Sequence, residues 1–147
     1  MTNPTPTVQI AVDCTDPHHL NRFWAAALGY VIEDHHDMIG QIVAAGWATL
    51  DDDTVEIDGR RAWKTAAACG DPAGRGPRLL FQQVPEPKTV KDRIHLDLHF
   101  APGDDDAREA QVARLIELGA TKLWDGQQGP QRWVTMADPE GNEFCVA

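Results

Sequence analysis

The chain has 147 residues, of which 42% are hydrophobic and 24% charged, so it is long enough for one globular domain with a real core. Its formal net charge of −10 argues against nucleic acid and anionic membranes as partners. The N-terminal MTNPTPTV has no basic, apolar signal segment, and no apolar run approaches a membrane span in length. Cys14, Cys69 and Cys145 are widely spaced, which is not a zinc or redox pattern and favours a reducing cytoplasm.

The first half of the chain predicts a strand, a helix and three more strands. VQIAVDC (8–14) alternates apolar with polar or small residues, which is typical of a strand. Asp16 as N-cap, Pro17 at the first helical position and Gly29 at the C-terminal cap predict a helix over 17–29. YVIEDH, AWKTAAAC and PRLLFQQV predict the following strands. Residues 37–62 fit least well: we expect a short amphipathic helix in 37–50, a surface loop in 51–61, and an insertion overall.

The second half repeats this plan. RIHLDLHF (93–100) predicts a strand, and residues 105–119 a helix with an acidic start and an apolar face of Val112, Leu115, Ile116 and Leu118. TKLWDG, RWVTMAD and NEFCV predict the last strands. An Asp-Pro-x-Gly turn precedes the final strand of each half, in DPAG (71–74) and DPEG (138–141). The sequence therefore predicts a strand–helix–three-strand module used twice, over about 7–86 and 93–147.

These motifs resemble a known superfamily. VDCTDPHHLNRFWAAALGY, LLFQQVPEPKTVKDRIHLDLHF, LIELGA and DPEGNEFCV are similar to the vicinal oxygen chelate superfamily, and most of all to glyoxalase-like domain proteins of actinobacterial type. The resemblance implies an α+β fold, a single domain over 1–147 in which two βαβββ modules form an open barrel-like sheet with a central cavity. The superfamily includes glyoxalase I, extradiol dioxygenases, thiol transferases and metal-free bleomycin-binding proteins, so it implies a fold more strongly than a chemistry.

The resemblance also implies where a metal would bind, on the first and last strands of each module. The first-strand positions fall on Gln9 and His95, and one last-strand position falls on Cys145, where metal-binding relatives usually have Glu. The other last-strand position is Phe81 or Gln82. Glutamine is a weak ligand and a lone thiolate suits softer metals. We therefore expect no cofactor, with a divalent ion held by Gln9, His95 and Cys145 as the alternative.

The polar face of RIHLDLHF is the strongest candidate site. His95, Asp97 and His99 alternate along the strand, while Ile94, Leu96, Leu98 and Phe100 form the opposite face, expected to pack on the helices. We expect His95 and Asp97 on the cavity floor, although a purely structural His–Asp pair is the alternative. The other expected ligand-binding residues are Gln9, Gln82, Trp63 and Trp133, and the catalytic candidates are Glu143 and Asp97.

Two functions are compatible with these residues. The first is binding of a small organic molecule in the cavity between the modules without a required metal, for sequestration or resistance. The second is a lyase, isomerase or thiol transferase that depends on a divalent metal. In both cases we expect a homodimer, and the sequence leaves open whether modules pair within a chain or by exchange.

Overall fold

The computed structural model describes residues 3–100 and 103–147 and divides into two compact units, the first up to Pro85 and the second from Glu86 onward. Both units combine helices with an unclosed sheet, which confirms the predicted α+β class. No helix in 3–100 or 103–147 is long and apolar enough to cross a membrane.

The first unit contains a four-stranded mixed sheet in the order β1-β6-β5-β2. Strand β1 runs parallel to β6, and the other neighbours are antiparallel. A separate hairpin, β3–β4, lies between β2 and β5 in the chain. The elements of this unit are β1 (Gln9–Cys14), α1 (Pro17–Leu28), β2 (Val31–Ile32), α2 (His36–Ala44), α3 (Leu50–Asp53), β3 (Thr54–Ile57), β4 (Arg60–Trp63), β5 (Ala66–Gly70) and β6 (Arg78–Gln83).

The second unit has the same plan. Its sheet has the order β7-β10-β9-β8, in which β7 runs parallel to β10 and the other pairs are antiparallel. The predicted repeat is therefore confirmed, since first and last strands pair in parallel in both units. The elements are β7 (Asp97–Leu98), α4 (Asp105–Leu118), β8 (Thr121–Gln128), β9 (Gln131–Ala137) and β10 (Glu143–Val146).

Local capping fixes the ends of the helices and turns as predicted. The Asp16 side chain accepts a hydrogen bond from the His19 backbone N–H (3.1 Å), and Gly29 ends α1 with φ 70°. In each Asp-Pro-x-Gly turn the aspartate side chain accepts backbone N–H groups: Asp71 from Ala73 (2.8 Å) and Asp138 from Glu140 (2.9 Å). The two turns use the same aspartate chemistry, which explains why both halves of the sequence carry the motif.

Each unit has its own core. In the first, Leu20, Phe23 and Trp24 of α1 are at most 4% exposed, and α1 contacts β5 and β6. In the second, Val112 and Leu115 of α4 are buried, and α4 contacts β8 and β10. The largest fully buried side chains of the second sheet are Val134, Met136, Phe144 and Val146.

The predicted apolar face of α4 was too wide. Ile116 is 46% exposed and Leu118 36%, whereas Arg108 joins Val112 and Leu115 on the buried side. At about 100° per residue, positions 108, 112 and 115 fall within about 60° of one another. Positions 116 and 118 lie on either side of that stripe, so their side chains are only partly covered.

The prediction of a surface loop in 51–61 was wrong. Residues 54–57 and 60–63 pair as β3 and β4, with Ile57 opposite Arg60. The turn between them is Asp58-Gly59, with φ values of 50° and 77°. Asp-Gly is a favoured pair for a two-residue hairpin turn because both positions need positive φ. The short helix predicted in 37–50 is present as α2, but it ends at Ala44.

The strand predicted over 93–100 is also shorter than expected. Only Asp97 and Leu98 form β7, and pairing with the last strand begins where the Cys145 N–H donates to the Leu96 carbonyl (3.1 Å). Residues 93–95 therefore have no strand partner, and their side chains need not alternate between the two faces of a sheet. Ile94 is 90% exposed and Phe100 38%, so the expectation that this apolar set packs under the helices was wrong.

Candidate functional site

The second unit contains a cavity of about 790 Å³. Its wall is formed by the segment before β7, by β7 itself, by the first turn of α4, and by β8, β9 and β10. Pockets that bind small molecules have volumes of roughly 300–1,000 Å³. The cavity is therefore large enough for an organic ligand of moderate size.

One part of the wall is a polar group made of His95, Asp97 and Cys145. His95 Nδ1 lies 2.8 Å from Asp97 Oδ1, and one ligand atom from each of the three residues lies within 4.8 Å of the others. The sheet register explains this: Cys145 pairs with Asp97 on β7 and with Thr135 on β9, so these side chains share a face. The Thr135 hydroxyl lies 3.7 Å from Cys145 Sγ.

The chemical state of the Cys145 thiol follows from its surroundings. Burial raises the pKa of this thiol, and the Asp97 carboxylate beside it acts in the same direction. A thiol with a raised pKa is not an activated nucleophile, because that role needs the thiolate. Cys145 is therefore a neutral, weakly polar part of the wall.

A second part of the wall is aromatic. Trp124 of β8 is 49% exposed, and Trp133 of β9 is half-buried. Trp133 pairs across the sheet with Gly126, and a Cβ atom at position 126 would lie 2.1–2.5 Å from three atoms of the indole. The glycine thus provides the space that the Trp133 ring occupies. Two indoles in one cavity offer flat apolar surface for an aromatic ligand.

A third part of the wall is basic. Asp105 forms an ion pair with Arg108 through Oδ1 (2.9 Å) and accepts a hydrogen bond from Arg132 through Oδ2 (3.5 Å). Lys91 also lines the cavity, and its ammonium group donates to the Asp92 carbonyl at 3.4 Å. Cationic groups therefore surround part of a cavity in a strongly acidic chain.

Glu143, a catalytic candidate from the sequence, is held by the segment that precedes β7. Lys88 Nζ lies 3.1 Å from both carboxylate oxygens, and the Asp92 backbone N–H donates to Oε2 (3.0 Å). Desolvation alone would raise the pKa of Glu143, but these hydrogen bonds outweigh it and lower the pKa. Because a general base works best with a pKa near the working pH, this carboxylate is better suited to anchoring the segment.

The remaining sequence-predicted residues belong to the first unit. Gln9 Oε1 accepts a hydrogen bond from Arg78 (2.7 Å), and Gln82 is exposed on the same face of the sheet as Gln9. Phe81, the alternative to Gln82, is fully buried in the core. Trp63 lines a separate cleft of about 260 Å³ in this unit, and its carbonyl lies 2.7 Å from His18 Nε2.

Of the predicted site residues, the structure brings His95, Asp97, Trp133, Glu143 and Cys145 to one cavity. Sequence reasoning missed Arg108, which also lines it. A usable signal was present, because a charged residue four positions before Val112 lies on the buried stripe of an amphipathic helix. Buried charges are uncommon without a partner or a function.

The donor atoms of the polar group decide whether it suits the divalent ion that the resemblance implies for metal-using relatives. A hard cation such as Mn(II) prefers several oxygen ligands. Here the three donors are one imidazole, one thiol, and one carboxylate that already contacts His95. This set does not fit an oxygen-rich site for a hard cation.

Comparison with known proteins agrees with the fold. A family model described as Glyoxalase-like domain matches residues 9–147. Among solved structures, a glyoxalase/bleomycin resistance protein/dioxygenase family enzyme from Burkholderia phytofirmans is 13% identical, with a TM-score of 0.61 and 94% of each chain covered. The fosfomycin resistance protein FosX from Mesorhizobium loti is 11% identical, with a TM-score of 0.61, covering 98% of this chain and 91% of that one.

A third similar structure is a variant of FosX from Listeria monocytogenes in complex with Mn(II) and a dihydroxypropylphosphonic acid. It is 8% identical, with a TM-score of 0.60, covering 98% of this chain and 90% of that one. At such identities the likeness shows a common fold and no common activity. No curated protein sequence matches the chain significantly.

Proposed function

The chain belongs to the glyoxalase-like domain family, and we propose that it binds a small organic molecule in the cavity of its second unit without requiring a metal ion. In this proposal the chain sequesters a compound and does not use a metal to transform it.

The cavity wall carries this proposal. It combines two indoles, Trp124 and Trp133, with a small polar group, His95 and Asp97, in a space of about 790 Å³. Mostly apolar pockets with a few placed polar groups are typical of small-molecule sites. The indoles would hold a flat apolar part of the ligand, and the exposed His95 imidazole would form a hydrogen bond with a polar group of the same ligand.

The donors of the site favour binding without a metal ion. A hard cation prefers oxygen ligands, whereas Cys145 offers sulfur, and Gln9, the first-unit position implied by the resemblance, already accepts a hydrogen bond from Arg78 (2.7 Å). The binding site that we propose uses neither residue as a ligand.

The second candidate function is a metal-dependent lyase, isomerase or thiol transferase. The approach of His95, Asp97 and Cys145 to within 4.8 Å favours it, because nitrogen, oxygen and sulfur donors together suit a borderline ion such as Zn²⁺. Elemental analysis of the purified protein separates the candidates. We expect much less than one metal per chain, whereas about one metal per chain, lost in His95→Ala, would support the enzyme.

A thermal-shift screen tests the binding proposal directly. Any compound that binds only the native state raises the melting temperature by mass action. For a hit, His95→Ala should weaken binding by about 1–3 kcal/mol, because a buried polar group of the ligand loses its partner. His19→Ala, at an exposed position outside the cavity, is the control and should bind normally. Equal affinities in the two variants would contradict the assigned site.

Two further expectations belong to this proposal. A reducing cytoplasmic location is supported by the free thiols of Cys14, Cys69 and Cys145. Burial raises the pKa of the Cys69 thiol to about 11. A homodimer is the assembly that we propose, and light scattering on the purified protein would test it. A monomer at micromolar concentration would contradict it.

A further inference from the structure

Arg108 is a charged residue in an unusual place. It is the fourth residue of α4, it lies on the buried stripe of that helix, and its side chain is only 10% exposed. The N-terminal end of a helix carries partial positive charge, so a cation there is disfavoured unless anionic groups offset it. Burial adds a desolvation cost that a partner must also offset.

The partners of Arg108 are incomplete. Arg108 forms an ion pair with Asp105 Oδ1 (2.9 Å), and the Asp105 side chain is 56% exposed. Arg132 contacts the other oxygen of the same carboxylate at 3.5 Å. Within the part of the chain that the structure describes, Arg108 Nε is buried and has no hydrogen-bond partner. Two guanidinium groups thus share the carboxylate of Asp105, and Arg108 Nε has no partner of its own among the described residues.

The other acidic groups of the cavity are already engaged. Asp97 contacts His95 at 2.8 Å, and Glu143 accepts hydrogen bonds from Lys88 and from the Asp92 backbone. Within residues 3–100 and 103–147, neither carboxylate forms an ion pair with Arg108 or Arg132. The guanidinium groups of Arg108 and Arg132 therefore line a cavity whose other carboxylates contact other partners.

We infer that the ligand of this cavity is an organic anion whose carboxylate or phosphate group binds Arg108 and Arg132. The inference rests on the proposed function and adds a chemical class to it. Guanidinium groups bind such oxyanions through paired, charge-assisted hydrogen bonds. The aromatic part of the same molecule would lie against Trp124 and Trp133, which line the same cavity.

The test is calorimetric titration with three matched probes: naphthoate, naphthyl phosphate and the neutral naphthamide. The anionic probes should bind at least about tenfold more tightly than naphthamide, and their affinity should fall as salt is added. The tighter of the two anions identifies the group that the site prefers. Equal binding of anionic and neutral probes would overturn the inference and leave the proposed function standing. No binding of any probe would contradict both.

Variants assign the anion to its residues. Arg132 is 55% exposed, so Arg132→Gln should fold normally and weaken the anionic probes about tenfold while leaving naphthamide unchanged. Arg114→Gln removes the same charge from an exposed position of α4 and is the control. Arg108→Gln should have a larger effect, with folding checked by circular dichroism. If Arg132→Gln and Arg114→Gln weakened the anions equally, the effect would be one of net charge and the inference would be wrong.

Discussion

Gly126 controls the position of the Trp133 indole, and the change Gly126→Ala tests this most sharply. A Cβ at position 126 would lie 2.1 Å from Cε2, 2.3 Å from Nε1 and 2.5 Å from Cζ2 of Trp133. The added methyl cannot be accommodated while the ring stays in place. We therefore expect the variant to be less stable and its cavity to change shape.

The size of the effect follows from the contact distances. Carbon atoms in contact are normally about 3.5–4.0 Å apart, so the ring must retreat by about 1.4 Å or more. Overpacking of this kind costs typically about 1–3 kcal/mol. Trp133 is half-buried, so the ring has room to move on its open side, and we expect a loss in the lower half of that range.

Urea unfolding followed by tryptophan fluorescence measures this loss. Gly40→Ala is a matched control, because Gly40 lies in helix α2 and nothing lies within 4 Å of an added Cβ there. That variant should be neutral or more stable by about 0.5–1 kcal/mol, as alanine favours helix over glycine. In a Trp133→Ala background, Gly126→Ala should cost much less, because the clashing ring is gone.

The reasoning would be refuted by a Gly126→Ala protein with unchanged stability and fluorescence. A second contradiction would be an identical cost of Gly126→Ala with and without the Trp133 ring. Either result would mean that the indole does not occupy the space over the glycine.

Three further predictions concern the scaffold. Hydrogen bonds from Arg78 (2.6 and 2.9 Å) lower the pKa of Glu33 below its ordinary 4.5. The folding stability that this pair contributes is therefore present above about pH 4.5 and is lost as the pH falls further. Glu33→Gln should reduce the loss of unfolding free energy at acidic pH, measured by urea unfolding, and an unchanged loss would contradict the assignment. Gly59→Ala should cost about 1–2 kcal/mol, because Gly59 has φ 77°, and a cost near zero would count against the turn. Leu115→Ala should cost about 2–5 kcal/mol by chemical denaturation, since Leu115 is fully buried; a loss below about 1 kcal/mol would contradict its core position.

The parts of the fold that could be predicted are those encoded by local signals. The caps at Asp16 and Gly29 and the turns at Asp71 and Asp138 depend on neighbours a few residues away, and the structure forms them as expected. The strand–helix–three-strand plan of each half was also predicted from local signals, and both units form it. The hairpin at Asp58-Gly59 carried an equally local signal, but the adjacent acidic run favoured a loop and obscured it.

The parts that could not be predicted depend on register between distant segments. Cys145 meets Asp97 and Thr135 only because β10 pairs with β7 and β9 at one particular register. Arg108 and Arg132 converge on Asp105 although they lie on different elements. Similarly, Ile94 is exposed because parallel pairing starts after it, which the alternation of RIHLDLHF did not reveal.

The central claim is that the cavity of the second unit is the ligand site. Nuclear magnetic resonance of the tryptophan indole N–H groups tests it during titration with the strongest compound from the thermal-shift screen. We expect saturable shifts of the Trp124 and Trp133 signals, which line this cavity, and unchanged signals from Trp63, which lines the cleft of the first unit. Shifts confined to Trp63, or the same shifts for Trp124 and Trp133 in His95→Ala at equal ligand concentration, would contradict it.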